Sequence, residues 1–247
     1  MDLDVASTLS TSGPETVPGG GSVTPSRVSP RWTSRIPVAV NDVTEVAQRL
    51  DAAARQVGLS GTDFGAVLGV SAARFRGFLD GGLETPAHLL LRAERVSAGL
   101  RRAKDSGRVT ALDVCDFVGP SIRHRAVGAA VNFCAVGLTD LLQCQEQDPT
   151  ALPAWEAIPS PTGFLEWDVL IATMVGQVFR FQHRDPPEWA VRRARRLKTP
   201  RVILTDGYTP DDVKRLTPRW LSAYGVFVSS DSLGMLSRDA LDLPAGP

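Results

Sequence analysis

With 247 residues, 43% of them hydrophobic, the chain has apolar material for one or two cores and is not disordered overall. Its 27 Lys/Arg balance 27 Asp/Glu, which excludes a bulk polyanion binder and leaves any nucleic-acid contact to a local patch. Cys115, Cys134 and Cys144, odd in number and without a Cys-x-x-Cys pair, predict packed thiols rather than a disulfide framework.

Residues 1–38 are rich in Ser, Thr, Pro and Gly and hold too few large apolar groups to offset ordering entropy, so a disordered tail is expected. Gly19-Gly20-Gly21 lacks the Lys-Ser/Thr that a phosphate-binding loop needs and reads as linker. The MDLD start carries no basic region followed by an apolar one, and the longest nearly apolar run, Ala126 to Leu138, is short for a bilayer. A soluble cytoplasmic protein, not a membrane protein, is the expectation.

Helical periodicity begins at Asn41. Val43, Val46, Ala47, Leu50, Ala54 and Val57 recur at steps of three and four, Asp42 and Glu45 suggest a capping box, and Gly58 a stop. Ser60 with Asp63 starts a short helix buried through Phe64, Val67 and Leu68. Gly69 allows a sharp turn, and Ser71 caps the next helix, which packs through Phe75, Phe78 and Leu79 until Asp80-Gly81-Gly82. Thr85-Pro86 opens a longer helix running to Gly107.

Thr110 to Val118 reads as a helix ended by Gly119-Pro120, and Ser121 to Gln145 as one long apolar helix. Its stripe of Val127, Val131, Cys134, Leu138 and Leu141 suits a helix–helix seam. Intramolecular packing is favoured, because two heptads fall short of a coiled coil, with a homodimer seam as the alternative.

Pro149, Pro153, Pro159 and Pro161 then mark a boundary or an extended connection. Trp167, Leu170, Ile171, Met174, Val175 and Val178 restore a helical stripe, and a further helix is expected over Pro187–Lys198. Short strands are expected at Val202–Leu204 and Val226–Val228, with a capped helix at Thr209-Pro210-Asp211-Asp212, a short helix from Pro218 and a frayed end over 239–247. The expected fold is mostly α: a helix-turn-helix bundle at 40–106, then a helical partner-binding region at 108–238 with two short strands.

Leu59-Ser60, Phe64, Leu68-Gly69-Val70-Ser71, Phe75, Phe78-Leu79, Gly81, Pro86 and Leu90 carry a resemblance. Residues 59–97 resemble the helix-turn-helix of Cro/CI-type (XRE-type) bacterial regulators, in which the second helix enters the major groove of double-stranded DNA while the first crosses the phosphates. The resemblance implies base-facing positions at Ala72, Ala73 and Gly77. Arg74 and Arg76 become candidate DNA contacts, with Ser60, Thr62 and Ser71 near phosphates. Ala72, Ala73 and Gly77 offer no side-chain hydrogen bond; an alanine methyl can at most touch a thymine methyl. Gly61 stands where such regulators often have Gln, and Gly65 where Ala is usual, the latter weakening a helix by roughly 1 kcal/mol.

The run from Arg125 through DPTALPAWEAIPSPTGFLEWDVLIATMV, then PPEW and PRWLSAYGVFVSSDSL, is similar to the C-terminal region of a group of actinobacterial proteins with such an N-terminal helix-turn-helix. Their genes often lie beside a presumed toxin, commonly nucleotidyltransferase-like. This resemblance implies an antitoxin-type regulator with a toxin partner. A helix-turn-helix kept only for packing is the competing reading.

Residues 180–201 carry a net charge of +6, with Arg192, Arg193, Arg195 and Arg196 expected on one helix around Trp189 as a second basic patch. His88, His124 and His183 are scattered, and no nucleophile, base and oxyanion site assemble, so no metal, no cofactor and no catalytic residues are expected.

Overall fold

The computed structural model describes residues 40–235 together with 239, 241 and 242; the tail expected at 1–38 and most of the end at 239–247 lie outside these. The fold is mostly helical with one pair of short strands. Ten α-helices are described: α1 (Val40–Gln56), α2 (Gly61–Val67), α3 (Ala72–Leu79), α4 (Ala87–Asp105), α5 (Ala111–Arg123), α6 (Val127–Gln147), α7 (Leu165–Phe181), α8 (Glu188–Arg193), α9 (Pro210–Leu216) and α10 (Arg219–Ser222). Strands β1 (Arg201–Val202) and β2 (Val226–Phe227) pair in parallel, Arg201 opposite Val226, and 3₁₀ turns occupy Leu152–Glu156 and Asp231–Leu233.

Helices α1 to α4 enclose a small core of Leu50, Phe64, Leu68, Phe75, Phe78, Leu90 and Val96. Phe64 meets Phe75 edge-on, ring centroids 6.1 Å apart, the arrangement that the ring quadrupoles favour. Gly65 is what permits this approach, since a Cβ there would lie 2.9 Å from Cβ and Cγ of Phe75. The helix propensity lost at Gly65 is thus exchanged for contact between α2 and α3.

The larger core gathers α5, α6 and α7 with the tryptophans Trp155, Trp167, Trp189 and Trp220. Every position from Val169 to Phe179 is buried, including the polar Thr173 and Gln177, so α7 is a core helix covered on all sides rather than a one-sided stripe. Val131, Cys134, Leu138 and Leu141 are also buried inside the protomer, which removes the 127–141 stripe as a homodimer seam: its partners are within the same chain. Helix α6 is long and apolar enough to span a bilayer by length and composition, more than the run to Leu138 suggests. Its apolar stripe is spent on this core.

Several expected boundaries move. Helix α1 begins at Val40, so Asp42 lies within its first turn, where the helix dipole favours it, instead of capping. Pro120 does not end α5, which continues to Arg123. The proline costs one backbone donor toward Asp116, but its ring is exposed, and Gly119 beside it packs so closely on the Thr162 carbonyl that a Cβ would sit 2.8 Å from that oxygen. The long helix expected from Ser121 is broken at Arg125, whose φ of +61° reverses the chain, and α6 starts at Val127. Helix α8 stops at Arg193 rather than Lys198, because Leu197 is drawn off to donate its N–H to the Tyr224 carbonyl at 2.9 Å.

The proline-rich stretch is the largest departure from expectation. It is neither a boundary nor merely an extended connection but a clasp between the two cores, and the described residues from Val40 on fall in one compact unit. Leu152 and Trp155 belong to the larger core, while Ala157 completes the smaller one. Ile158 donates its N–H to the Val67 carbonyl at the end of α2 (2.9 Å), Arg95 pairs with Glu156 at 2.5 Å, and Arg102 with Asp148 at 2.8 Å.

All three cysteines are free and buried. Burial pushes the Cys115 thiol up to about 12, only partly opposed by the nearby Arg193 guanidinium, and raises Cys134 and Cys144 for the same reason. Below about pH 9 both folded and unfolded chains hold neutral thiols. Above it the unfolded chain ionises first, so stability is expected to fall as pH rises from about 9 toward 12. At pH 8 a disulfide reagent should label none of these thiols in the folded protein and all of them in denaturant. Rapid labelling of the native chain would overturn this burial.

Candidate nucleic-acid interface

Helices α2 and α3 are joined by a tight turn in which Gly69 takes φ of +76°, a conformation costly for a residue with a Cβ. Each helix starts on a serine in extended backbone. Ser71 Oγ accepts from Arg74 N at 3.4 Å; Ser60 Oγ accepts from Asp63 N at 3.1 Å. The hydroxyl of Ser60 also donates to the Asp63 carboxylate at 2.6 Å, so its proton is committed locally and an acid sits where a phosphate would come. This disfavours Ser60 as a phosphate donor. Thr62, one position into α2, is exposed.

On α3, Ser71, Ala72, Ala73, Arg74 and Arg76 are all exposed. Ala72, Ala73 and Arg76 share one face by their spacing of three and four, while the Arg74 guanidinium lies 5.6 Å over the Phe78 ring. Neither arginine forms an ion pair among the described residues. Several α1 and α4 arginines differ: Arg49 is paired with Glu94, Arg55 with Asp51, and Arg95 with Glu156. Of the remaining α4 cations, Arg102 pairs with Asp148 while Arg92, Arg101 and Lys104 form no ion pair among the described residues, so the unpaired positive charge of this region is shared between α3 and α4.

Gly77 does not belong to that face. It is half-buried under Leu83, whose N–H donates to the Gly77 carbonyl at 2.9 Å, and a Cβ would lie 2.7 Å from Leu83 Cδ1. It is the crossing point for the loop leaving α3, a role for which Leu83 gave no signal in the sequence. Ile158, which pins the far end of α2, was equally illegible: its Cδ1 lies 2.8 Å from where a Gly69 Cβ would be.

The second basic patch is redistributed. Arg192 bonds to Glu188, and Arg193 points inward, donating to the Pro159 carbonyl at 2.6 Å and lying 5.7 Å over Trp189. Arg195 and Arg196 fall beyond α8 because the helix ends early, with Arg195 Nε bonded to the Arg192 carbonyl at 2.9 Å. They join Lys198 and Arg201 around a concavity of about 390 Å³ that also holds Leu165 and Glu166. Four arginines on one helix is thus corrected to a mixed surface with one structural member, Arg193.

Among the described residues no group of three or more His, Cys, Asp or Glu side chains is placed to hold a metal ion. Compared with models of protein families, with curated proteins and with solved structures, the chain matches none.

Proposed function

We propose that this chain is a DNA-binding transcriptional regulator, with α3 lying in the major groove. The observation that carries this reading is the surface of α3. Arg76 projects on the same face as the small Ala72 and Ala73, with Arg74 on the flank over Phe78, both without carboxylate partners among the described residues, on a helix held against α2 by Phe64, Phe75 and Gly65. The alanines let the helix approach base edges closely, and the arginines supply phosphate or guanine contacts. With so few polar side chains facing the groove, specificity comes from DNA shape, from paired half-sites in a homodimer, or from a partner.

In its finer form the proposal is an antitoxin-type repressor of its own operon, whose 108–238 region binds a toxin, nucleotidyltransferase-like by the resemblance. Any homodimer must use a surface other than the 127–141 stripe. An electrophoretic shift of the full chain on its own upstream DNA at low salt tests the reading. No shift, alone or with the neighbouring gene product, rejects it.

A second reading is supported by the clasp: the helix-turn-helix serves packing, and the chain is a protein-binding module that neutralises or scaffolds a partner. Because Ala157 completes the core around α2 and Ile158 pins that helix's end, the comparison needs the whole chain. Stable co-purification with the neighbouring gene product, without any DNA shift, favours this alternative.

A further inference from the structure

A cleft of about 470 Å³ opens beside the α1–α2 link, bounded by the end of α4 and by α5 and α6. Its volume lies within the range that holds small organic ligands. Leu59, Leu100, Leu112 and Phe133 give it an apolar floor, all half-buried although they pack against the cores. Phe133 is held flat by stacking on Phe117, ring centroids 4.2 Å apart, so it offers a planar wall already fixed in place.

Arg101, Lys104 and Arg108 stand on the rim. Arg101 and Lys104 form no ion pair among the described residues, unlike Arg102 between them, which is held by Asp148. Arg108 donates to the Cys144 sulfur at 3.9 Å and also lies within the field of Asp148, forming no ion pair within 4 Å among the described residues. The one lining acid, Asp113, is engaged by Thr110, accepting from its N–H at 2.8 Å and from its hydroxyl at 2.6 Å to cap α5. The lining thus sets three cations against the single carboxylate of Asp113, which leaves a net positive rim around an apolar floor.

We propose that this cleft binds a small aromatic monocarboxylate, its ring system against Phe133 and the leucines and its carboxylate between Arg101 and Lys104. The apolar floor excludes a bare inorganic anion as the best occupant, since that would leave the leucines and Phe133 uncovered; the rim disfavours a neutral or cationic one. Binding is independent of whether α3 contacts DNA. Its position has a consequence, because Leu59 leads directly into the Ser60 cap of α2.

Calorimetric titration of the full chain with 2-naphthoate tests the site. Saturable one-to-one binding is expected, with 2-naphthalenemethanol, the same body without the charge, binding about tenfold more weakly. An Arg101→Glu/Lys104→Glu variant, altered at exposed rim positions and checked for an unchanged melting temperature, should lose about tenfold for the acid and little for the alcohol. Arg195→Glu/Arg196→Glu should leave both unchanged. Absence of saturable binding at millimolar naphthoate, equal affinity for acid and alcohol, or naphthoate affinity in the rim variant equal to that of the original chain would each overturn the assignment.

Discussion

Gly99→Ala destabilises the protein, although alanine in a helix interior ordinarily gains about 1 kcal/mol over glycine. The new Cβ would stand 2.6 Å from the Ala154 backbone nitrogen and 3.0 Å from the Pro153 carbonyl carbon. These are backbone atoms of the clasp, so no side chain can rotate away. Overpacking of this kind costs about 1–3 kcal/mol where the structure can adjust, and more where it cannot. A net loss of about 2 kcal/mol is expected, seen as a fall of about 4–8 °C in a thermal melt. Gly128→Ala supplies the opposite sign: nothing lies within 4 Å of its Cβ position, so a gain of about 0.5 kcal/mol is expected in α6. If Gly99→Ala melted at or above the original temperature, the clasp would not be closed against α4 as described.

Ala73→Glu should abolish DNA binding without weakening the fold. Ala73 is exposed in the first turn of α3, where a carboxylate is favoured by the helix dipole, so the melt should stay level or rise slightly. In the proposed complex the same carboxylate would face phosphates and base acceptors, and repulsion adds to lost approach. Arg74→Ala/Arg76→Ala is the companion test: loss of two charge-assisted contacts should weaken binding roughly a hundredfold and flatten the slope of log affinity against log salt by about two. A shift retained by Ala73→Glu would remove α3 from the groove. An unchanged salt slope in the double-alanine variant would remove the two arginines from the phosphates.

The helix starts and turns were readable because their causes are local. Ser60, Ser71 and Thr209 each receive a backbone N–H three residues ahead, and Gly58, Gly69 and Gly107 take positive φ at helix ends. The short strands were legible only in part: β2 falls within the expected Val226–Val228, but β1 covers Arg201–Val202 rather than Val202–Leu204, and the parallel pairing that sets this register was not legible. Nor was the fate of the basic patch, since the end of α8 depends on Leu197 meeting the Tyr224 carbonyl rather than on anything within residues 187–198.

The sequence by itself therefore determined the helical class, the α2–turn–α3 unit and the display of Ala72, Ala73, Arg74 and Arg76 on α3. These follow from contacts spanning three or four residues, which caps, turn glycines and apolar spacing encode directly. Only the tertiary structure decided that α6 turns its stripe inward, that Gly77 lies under Leu83, and that the proline-rich stretch clasps both cores. Those outcomes depend on contacts such as Arg95 with Glu156, 61 positions apart. An apolar stripe declares that it must be covered without naming its cover. A glycine declares room for close approach without naming what approaches.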